Sequence, residues 1–245
     1  MLSLIVATAG RPTLVDAIVS AVQRLPVGEI IIAPAPDVAI PDVPVPADVR
    51  LVRPTSNLYE AWNVAVSAAK GPLVCFLNDD DVYAGSAIGR ELLQSADVLN
   101  LCLTLEGRRA HTSVSARRAN GRLAPIDLFH ANRAGNINSY IWPKDLLLQT
   151  GPFDESYRIR GDIEWMQRMV GLDLNVKWLS GLTYVQRRGE GRLSSWGDNR
   201  LLLIEEARRV VESVRRRHGR FSSVALLGQA WIGAMRLRRA ATRAS

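Results

Sequence analysis

The sequence predicts an α/β fold, a mostly parallel sheet flanked by helices and followed by a C-terminal helical extension. Three observations lead there. Strand-length apolar runs alternate with amphipathic helical stretches through the N-terminal part of the chain, the pattern of parallel strands with helices on their faces. The 245 residues are 47% hydrophobic and 22% charged, an ordinary globular composition with length for one large domain or two small ones. The charge is unevenly placed. Of the net +7, residues 208–243 hold ten arginines against one acid, Glu212, a net of +9; the rest of the chain has 21 basic and 23 acidic side chains, a net of −2. This split suggests a nearly neutral domain over 1–197 and a basic helical extension over 198–245. It argues against a nucleic-acid-binding body and for a tail that meets an anionic surface.

The elements follow in order. "LSLIVAT" (2–8) reads as a buried strand, and "TLVDAIVSAVQRL" (13–25) is a helical pattern after Pro12. "EIIIA" (29–33) is a second strand. The proline-rich stretch 34–48 is neither helix nor central strand. "VRLVR" (49–53) is a third strand, and "NLYEAWNVAVSAAKG" (57–71) a helix stopped by Gly71. "PLVCFL" (72–77) is a fourth strand. Beyond it, 84–96 is expected to be helical, 97–107 a strand, 111–124 a hairpin turning at Asn120-Gly121, and 136–142 a strand. "PKDLLLQTG" is a short helix with Pro143 at its start and Gly151 past its end. A helix over 162–172, strands over 175–179 and 183–188, and two closing helices, about 198–218 and 221–239, complete the chain.

Several function classes lose support. No run reaches the roughly 18 uninterrupted apolar residues of a membrane span. The opening "MLSLIVATAGRP" has no basic leader and reads as a core strand, not a signal peptide. Cys75 and Cys102 lie in apolar runs, as buried reduced thiols of a cytoplasmic protein do. No Cys/His cluster has zinc spacing. His111, His130 and His218 stand in no recognisable catalytic setting.

The most informative stretch is "FLNDDDVY" (76–83). Three adjacent carboxylates, Asp79, Asp80 and Asp81, follow a strand, where open α/β sheets bind ligands. Clustered carboxylates there suit Mg²⁺ or Mn²⁺ shared with substrate phosphates. The bland alternative is a solvated acidic turn with Asp81 capping the next helix. No G-x-G-x-x-G follows a strand, and "GRPT" is not a phosphate-cradling loop.

The segment 57–83 resembles family 2 glycosyltransferases of the GT-A fold. Tyr59, Ala61, Asn63, Ala69, Gly71, Phe76, Leu77, Asn78, Asp80, Asp81 and Tyr83 match that pattern in order and spacing. The resemblance extends over about residues 1–195. Thr8 and Arg11 match the family's opening loop, with Gly10 where Asn is usual. "TGPFDESYRIRGDIEWMQRM" resembles the stretch bearing the catalytic base, which falls on Asp162, with Arg168 as the matching arginine and Glu164 as fallback base. "RRGEGRLSS" resembles the loop that closes over the nucleotide diphosphate. In the family the second strand ends in acidic residues; here Ala33 and Pro34 fill those places, with Asp37 as a substitute.

The resemblance implies a Rossmann-like GT-A domain with a C-terminal helical extension. It implies a nucleotide-sugar donor (UDP, GDP or dTDP type), a glycan or lipid-linked acceptor, and inverting displacement assisted by Mn²⁺ or Mg²⁺ at Asp80 and Asp81. Thr8, Arg11, Asn57, Asn63, Asn78, Asp79, Trp165, Arg187, Arg188 and Arg192 are the candidate substrate contacts, and Trp196 a further stacking surface. Cell-envelope or exopolysaccharide synthesis is the expected setting. A catalytically inactive sugar-nucleotide-binding scaffold and a nucleotidyltransferase are the alternatives. The helix over 221–239 carries an apolar stripe with arginines at both ends, suited either to peripheral contact with the inner face of a membrane or to packing on the domain.

Overall fold

The structure, a computed structural model, describes residues 1–94, 98–105, 137–169, 172, 174, 176–187, 199–219, 230, 232 and 233. The expected hairpin over 111–124, most of the second closing helix, His111 and His130 lie outside them. Among the described residues there are eight strands: β1 (Leu2–Thr8), β2 (Val27–Pro34), β3 (Asp48–Leu51), β4 (Leu73–Asn78), β5 (Val82–Gly85), β6 (Val98–Leu105), β7 (Tyr140–Pro143) and β8 (Val176–Gln186). The helices are α1 (Leu14–Val22), α2 (Leu58–Ala68), α3 (Lys144–Thr150), α4 (Gly161–Arg168) and α5 (Arg200–His218).

The strands form one sheet in the order β3-β2-β1-β4-β7-β6-β8-β5. β3, β2, β1 and β4 are mutually parallel, while β7 runs antiparallel to both β4 and β6. Alternation along the central strands sends side chains to opposite faces. Leu2, Leu4 and Val6 of β1, Ile30 and Ile32 of β2, and Cys75 and Leu77 of β4 join Leu14, Ala17, Ile18 and Ala21 of α1. The intervening Ile5, Ala7, Ile31, Ala33, Val74 and Phe76 pack with α2, α4 and α5. A parallel sheet covered on both faces needs such uninterrupted apolar strands.

Two expectations are corrected. The predicted helix over 84–96 is instead the end of β5 followed by a 3-10 turn, Arg90–Gln94. β5 pairs antiparallel with β8, Val82 opposite Val185 through Gly85 opposite Leu182, and Ser86 N donates to Gly181 O at 2.8 Å. Gly85 stands at φ +96°, its missing Cβ leaving room for the Gly181 carbonyl, so a bulkier residue there would break the corner. The two strands expected over 175–188 are one strand, β8, whose register on β6 jumps from Leu101–Leu179 to Cys102–Thr183.

α5 belongs to the same core as the sheet. Ala207, Val210, Val211 and Val214 are buried in the cluster that holds α2 and α4. Full burial of each valine is worth about 1.5–3 kcal/mol, so α5 is not a detachable tail. The boundary expected at 197/198 therefore does not separate two cores among the described residues. No helix among them is long and apolar enough to cross a membrane.

At the end of the sheet away from the carboxylate trio, Glu29 is buried and takes hydrogen bonds from Ser3 Oγ (2.6 Å), Lys70 N (2.6 Å) and Gly71 N (2.9 Å), and pairs with Arg50. Burial pushes its pKa up, but these donors outweigh burial and hold it at about 2. A carboxyl depressed from 4.5 contributes stability above pH 4.5 that is lost as pH falls through about 2. Glu29→Ala should cost on the order of 3 kcal/mol at pH 7, because several donors are left unpaired. Urea unfolding of both proteins at pH 7 and pH 3 checks this, and the gap should narrow at the lower pH.

Candidate active site

The trio lies on the turn joining β4 to β5, at the carboxyl ends of β1, β2 and β4. The three carboxylates have different surroundings. Asp79 is buried and faces back onto the loop after β1. It accepts from Thr8 Oγ1 at 2.7 Å and Ala9 N at 2.9 Å, while Thr13 Oγ1 donates to its carbonyl at 2.7 Å. Thr8 and Asp79 thus pin the 8–13 loop to the end of β4. Gly10 of that loop has φ +80°, and a Cβ there would meet Val38 at 2.9 Å, which ties the loop to the connection after β2. Asp37, the substitute acid, sits beside Val38, exposed and itself at φ +61°.

Arg11 answers the charge of the trio. Its Nη1 lies 2.8 Å from Asp80 Oδ2 and its Nε 3.5 Å from Asp79 Oδ1, and about a third of its side chain remains exposed. Asp80 keeps a 16% exposed side chain, more open than Asp79. Asp81 is fully buried. It accepts from Tyr184 Oη at 2.5 Å, Asn78 Nδ2 at 3.0 Å and the Arg187 backbone N–H at 3.0 Å. Tyr184 also accepts from Asn138 Nδ2 at 2.8 Å, and its own pKa is pushed well up by burial and then by the Asp81 charge. Asp81 therefore fastens the end of β8. Arg188, Arg192 and Trp196 lie outside the described residues.

Asp162 reaches the same rim through α2. The parallel pairing of β3 with β2 puts the end of β3, and hence the start of α2, at the rim that carries the trio. Tyr59, in the first turn of α2, is buried, and its hydroxyl lies 3.4 Å from Asp162 Oδ1. Asp162 is the second residue of α4; the cap position belongs to Arg160, so the carboxylate does not serve as N-cap. Burial raises its pKa to about 6, against the opposing pull of the Ile163 N–H, the Arg160 guanidinium and the Tyr59 hydroxyl. A carboxylate whose pKa lies close to neutral pH is what a general base requires.

Three expected substrate contacts and the fallback base have structural roles. Glu164 is buried and paired with Arg168 (2.6 Å) and with Arg217 of α5, and accepts from Ser213 Oγ at 3.2 Å, so it locks two helices together and is not available as a base. Trp165 is fully buried, edge-on to Trp142, with its indole N–H on Gly151 O at 2.9 Å; it has no face open to a sugar. Asn57 caps α2, accepting from Tyr59 N at 2.7 Å and donating to Glu155 O and Tyr157 O. Asn63 clamps Phe153 by accepting from its N–H and donating to its carbonyl. Asn57, Asn63 and Trp165 satisfy backbone groups and Glu164 is taken up by side chains of two helices, which leaves each of them little to offer a ligand.

Among the described residues no three His, Cys, Asp or Glu side chains converge as a metal site. With Asp79 turned to the loop and Asp81 enclosed, Asp80 is the carboxylate placed to share an ion. One carboxylate suffices for Mg²⁺ when substrate phosphates and water complete the shell, so the residues fit a cation brought with a diphosphate and not a resident one.

Glu206 of α5 drew no attention in the sequence. It is buried and accepts the N–H groups of Arg158, Ile159 and Arg160. Its signal was an acid on an apolar helix face, at helical spacing from Leu203 and Val210.

Sheet order, strand polarity and the carboxylate turn define the architecture as the GT-A fold. Solved structures of Staphylococcus aureus TarS share it. The complex of TarS 1–349 with UDP-GlcNAc superposes with a TM-score of 0.62 at 16% identity, over 87% of this chain and 66% of that one. The UDP complex gives 0.61 at 15% identity, over 87% and 65%. TarS itself gives 0.61 at 14%, and this chain spans 39% of its length. No protein-family model and no curated protein matches the sequence.

Proposed function

We propose that this chain is a glycosyltransferase that moves a sugar from a nucleotide-diphosphate sugar to an acceptor hydroxyl with inversion. The observation that carries the reading is the placement, at one rim of a GT-A sheet, of an arginine-faced carboxylate turn and a half-buried aspartate whose pKa is pushed up to about 6. The UDP-GlcNAc and UDP complexes of TarS support a uridine donor as the first to test.

Arg11, released from Asp80 by an incoming diphosphate, donates charge-assisted hydrogen bonds to it. Arg187, whose backbone N–H is bonded to Asp81, and Arg188 and Arg192 after it in the sequence are the further arginines proposed to bind the diphosphate. Asp80 would hold a Mn²⁺ or Mg²⁺ that stabilises the departing diphosphate as a Lewis acid. Asp79 holds the 8–13 loop in place and Asp81 the end of β8. Asp162 takes the proton of the acceptor hydroxyl as it attacks, and one base with direct displacement gives inversion. The acceptor is a glycan or lipid-linked sugar of the cell envelope or an exopolysaccharide, reached from the cytoplasmic side with the basic C-terminal segment against the membrane.

Slow hydrolysis of UDP-GlcNAc in Mn²⁺, followed as UDP release, tests this against the inactive-scaffold alternative. A catalytic site leaks to water and a scaffold does not. Release that stays at the no-protein rate with UDP-, GDP- and dTDP-sugars would refute the enzyme reading.

A further inference from the structure

Glu206 stands outside every motif that points to the site, yet its surroundings lead to Asp162. Arg158 N donates to its Oε1 at 2.6 Å, and Ile159 N and Arg160 N donate to its Oε2 at 2.9 and 2.8 Å. Successive amides turned toward one anion form a concavity of backbone dipoles, filled here by a carboxylate from a helix distant in sequence. Arg160 is the cap residue of α4, and Asp162 follows two residues later. α5 also holds the Arg160 side chain, whose Nε donates to Leu203 O at 3.1 Å. One turn further along α4, Glu164 is tied to Ser213 and Arg217 of the same helix.

The packing need at this face of α5 would be met by an apolar residue such as the neighbouring Leu203. A buried carboxylate is costly unless fully bonded, and what it adds here is a fixed backbone over 158–160. The groups that face Asp162 are the Tyr59 hydroxyl from α2 and the Arg160 guanidinium from its own lead-in, and Glu206 acts on both through space.

We propose that Glu206 is a positioning residue for Asp162, holding the 158–160 turn so that the Asp162 carboxyl stays against the Tyr59 hydroxyl. Its catalytic consequence rests on Asp162 being the base. α5 is then part of the scaffold of the site.

The test compares full-length wild type with Glu206→Gln, which keeps the size and removes the charge. Carboxyl carbon-13 NMR follows the titration of Asp162, assigned by its loss in Asp162→Asn, and amide exchange follows Ile159 and Arg160. The expected results are a displaced Asp162 midpoint and faster exchange at both amides. Turnover should fall about 10- to 100-fold, the effect of misplacing a reacting group by an ångström or less, with donor KM changed less than about threefold. The acid limb of the kcat profile should move with the NMR midpoint. If Glu206→Gln does not fold, Glu206→Asp, which keeps the charge and withdraws it by one carbon, takes its place. An unchanged midpoint with unchanged exchange overturns the proposal. So does a rise in KM with kcat intact. A displaced midpoint in a chain whose wild type neither transfers nor hydrolyses any donor upholds the positioning role and removes glycosyl transfer instead.

Discussion

Asp162→Asn is expected to lower turnover by about 10²- to 10⁴-fold, the range a positioned general base contributes, while nucleotide affinity stays within about threefold of wild type. The asparagine keeps an oxygen to accept from Tyr59 Oη and Ile163 N, so the geometry survives and the basicity does not. The pH dependence has a definite sign. A base must be deprotonated to act, and burial sets the Asp162 pKa at about 6, so wild-type turnover should climb through pH 6 and level off above it. Stability runs the other way. A carboxyl whose pKa is raised from 3.8 to about 6 favours the folded state only while protonated, so folding loses stability between those values and does not regain it above them. Asp162→Asn should therefore melt higher than wild type at pH 8. A variant that is inactive, binds the donor and is more stable identifies a functional residue held at a cost to the fold. Near-normal transfer by Asp162→Asn would rule this residue out as the base.

Asp80→Ala is the second large effect. Its carboxylate makes a partly exposed pair with Arg11, and such pairs are worth about 1 kcal/mol or less, so the fold should be nearly unaffected. Nucleotide affinity in Mn²⁺ should fall on the order of 10²-fold or more, since a bound ion supplies several kcal/mol of charge stabilisation and each 1.4 kcal/mol is tenfold. Affinity measured without metal should change little or rise, because Arg11 is freed for the diphosphate. Asp81→Ala should behave differently. Asp81 is a fully buried acceptor shared by Tyr184, Asn78 and Arg187 N, so its loss should appear chiefly in the melting temperature. Calorimetric titration with UDP alongside thermal melts separates the two variants.

The N-terminal half of the fold was legible because its signals are local. Strands β1, β2 and β4 alternate between two buried faces and so read as continuous apolar runs, and Asn57 marks the start of α2 with a cap that is present. The misreadings concern pairings between distant residues. β5 exists only because β8, about a hundred residues away, pairs with it, and the local sequence "AGSAIGRELL" reads as helix. The step in register over Ser180, Gly181 and Leu182 made one strand look like two.

The site divides in the same way. The carboxylate turn and Arg11 were visible as a motif, and Asp162 through the resemblance. Sequence alone did not show that the three aspartates have three different environments, since burial at adjacent residues depends on what the β1 loop and β8 bring to them. Asn57, Asn63, Glu164 and Trp165 sit in the stretches that carry the resemblance, and motif matching does not distinguish a residue that touches substrate from one that ties down the backbone beside it. Glu206 was hidden because a glutamate next to Glu205 in a helix rich in arginine reads as a solvated side chain.

The account depends most on the carboxylate turn taking up a nucleotide diphosphate together with a divalent cation. A thermal-shift titration of the full chain with UDP, GDP and dTDP, each with and without Mn²⁺, addresses that directly. The predicted result is stabilisation by one of the three, UDP first, that is strong in Mn²⁺, weak without it, and lost in Asp80→Ala. No shift with any nucleotide under either condition, or an equal Mn²⁺-dependent shift in Asp80→Ala, would contradict it.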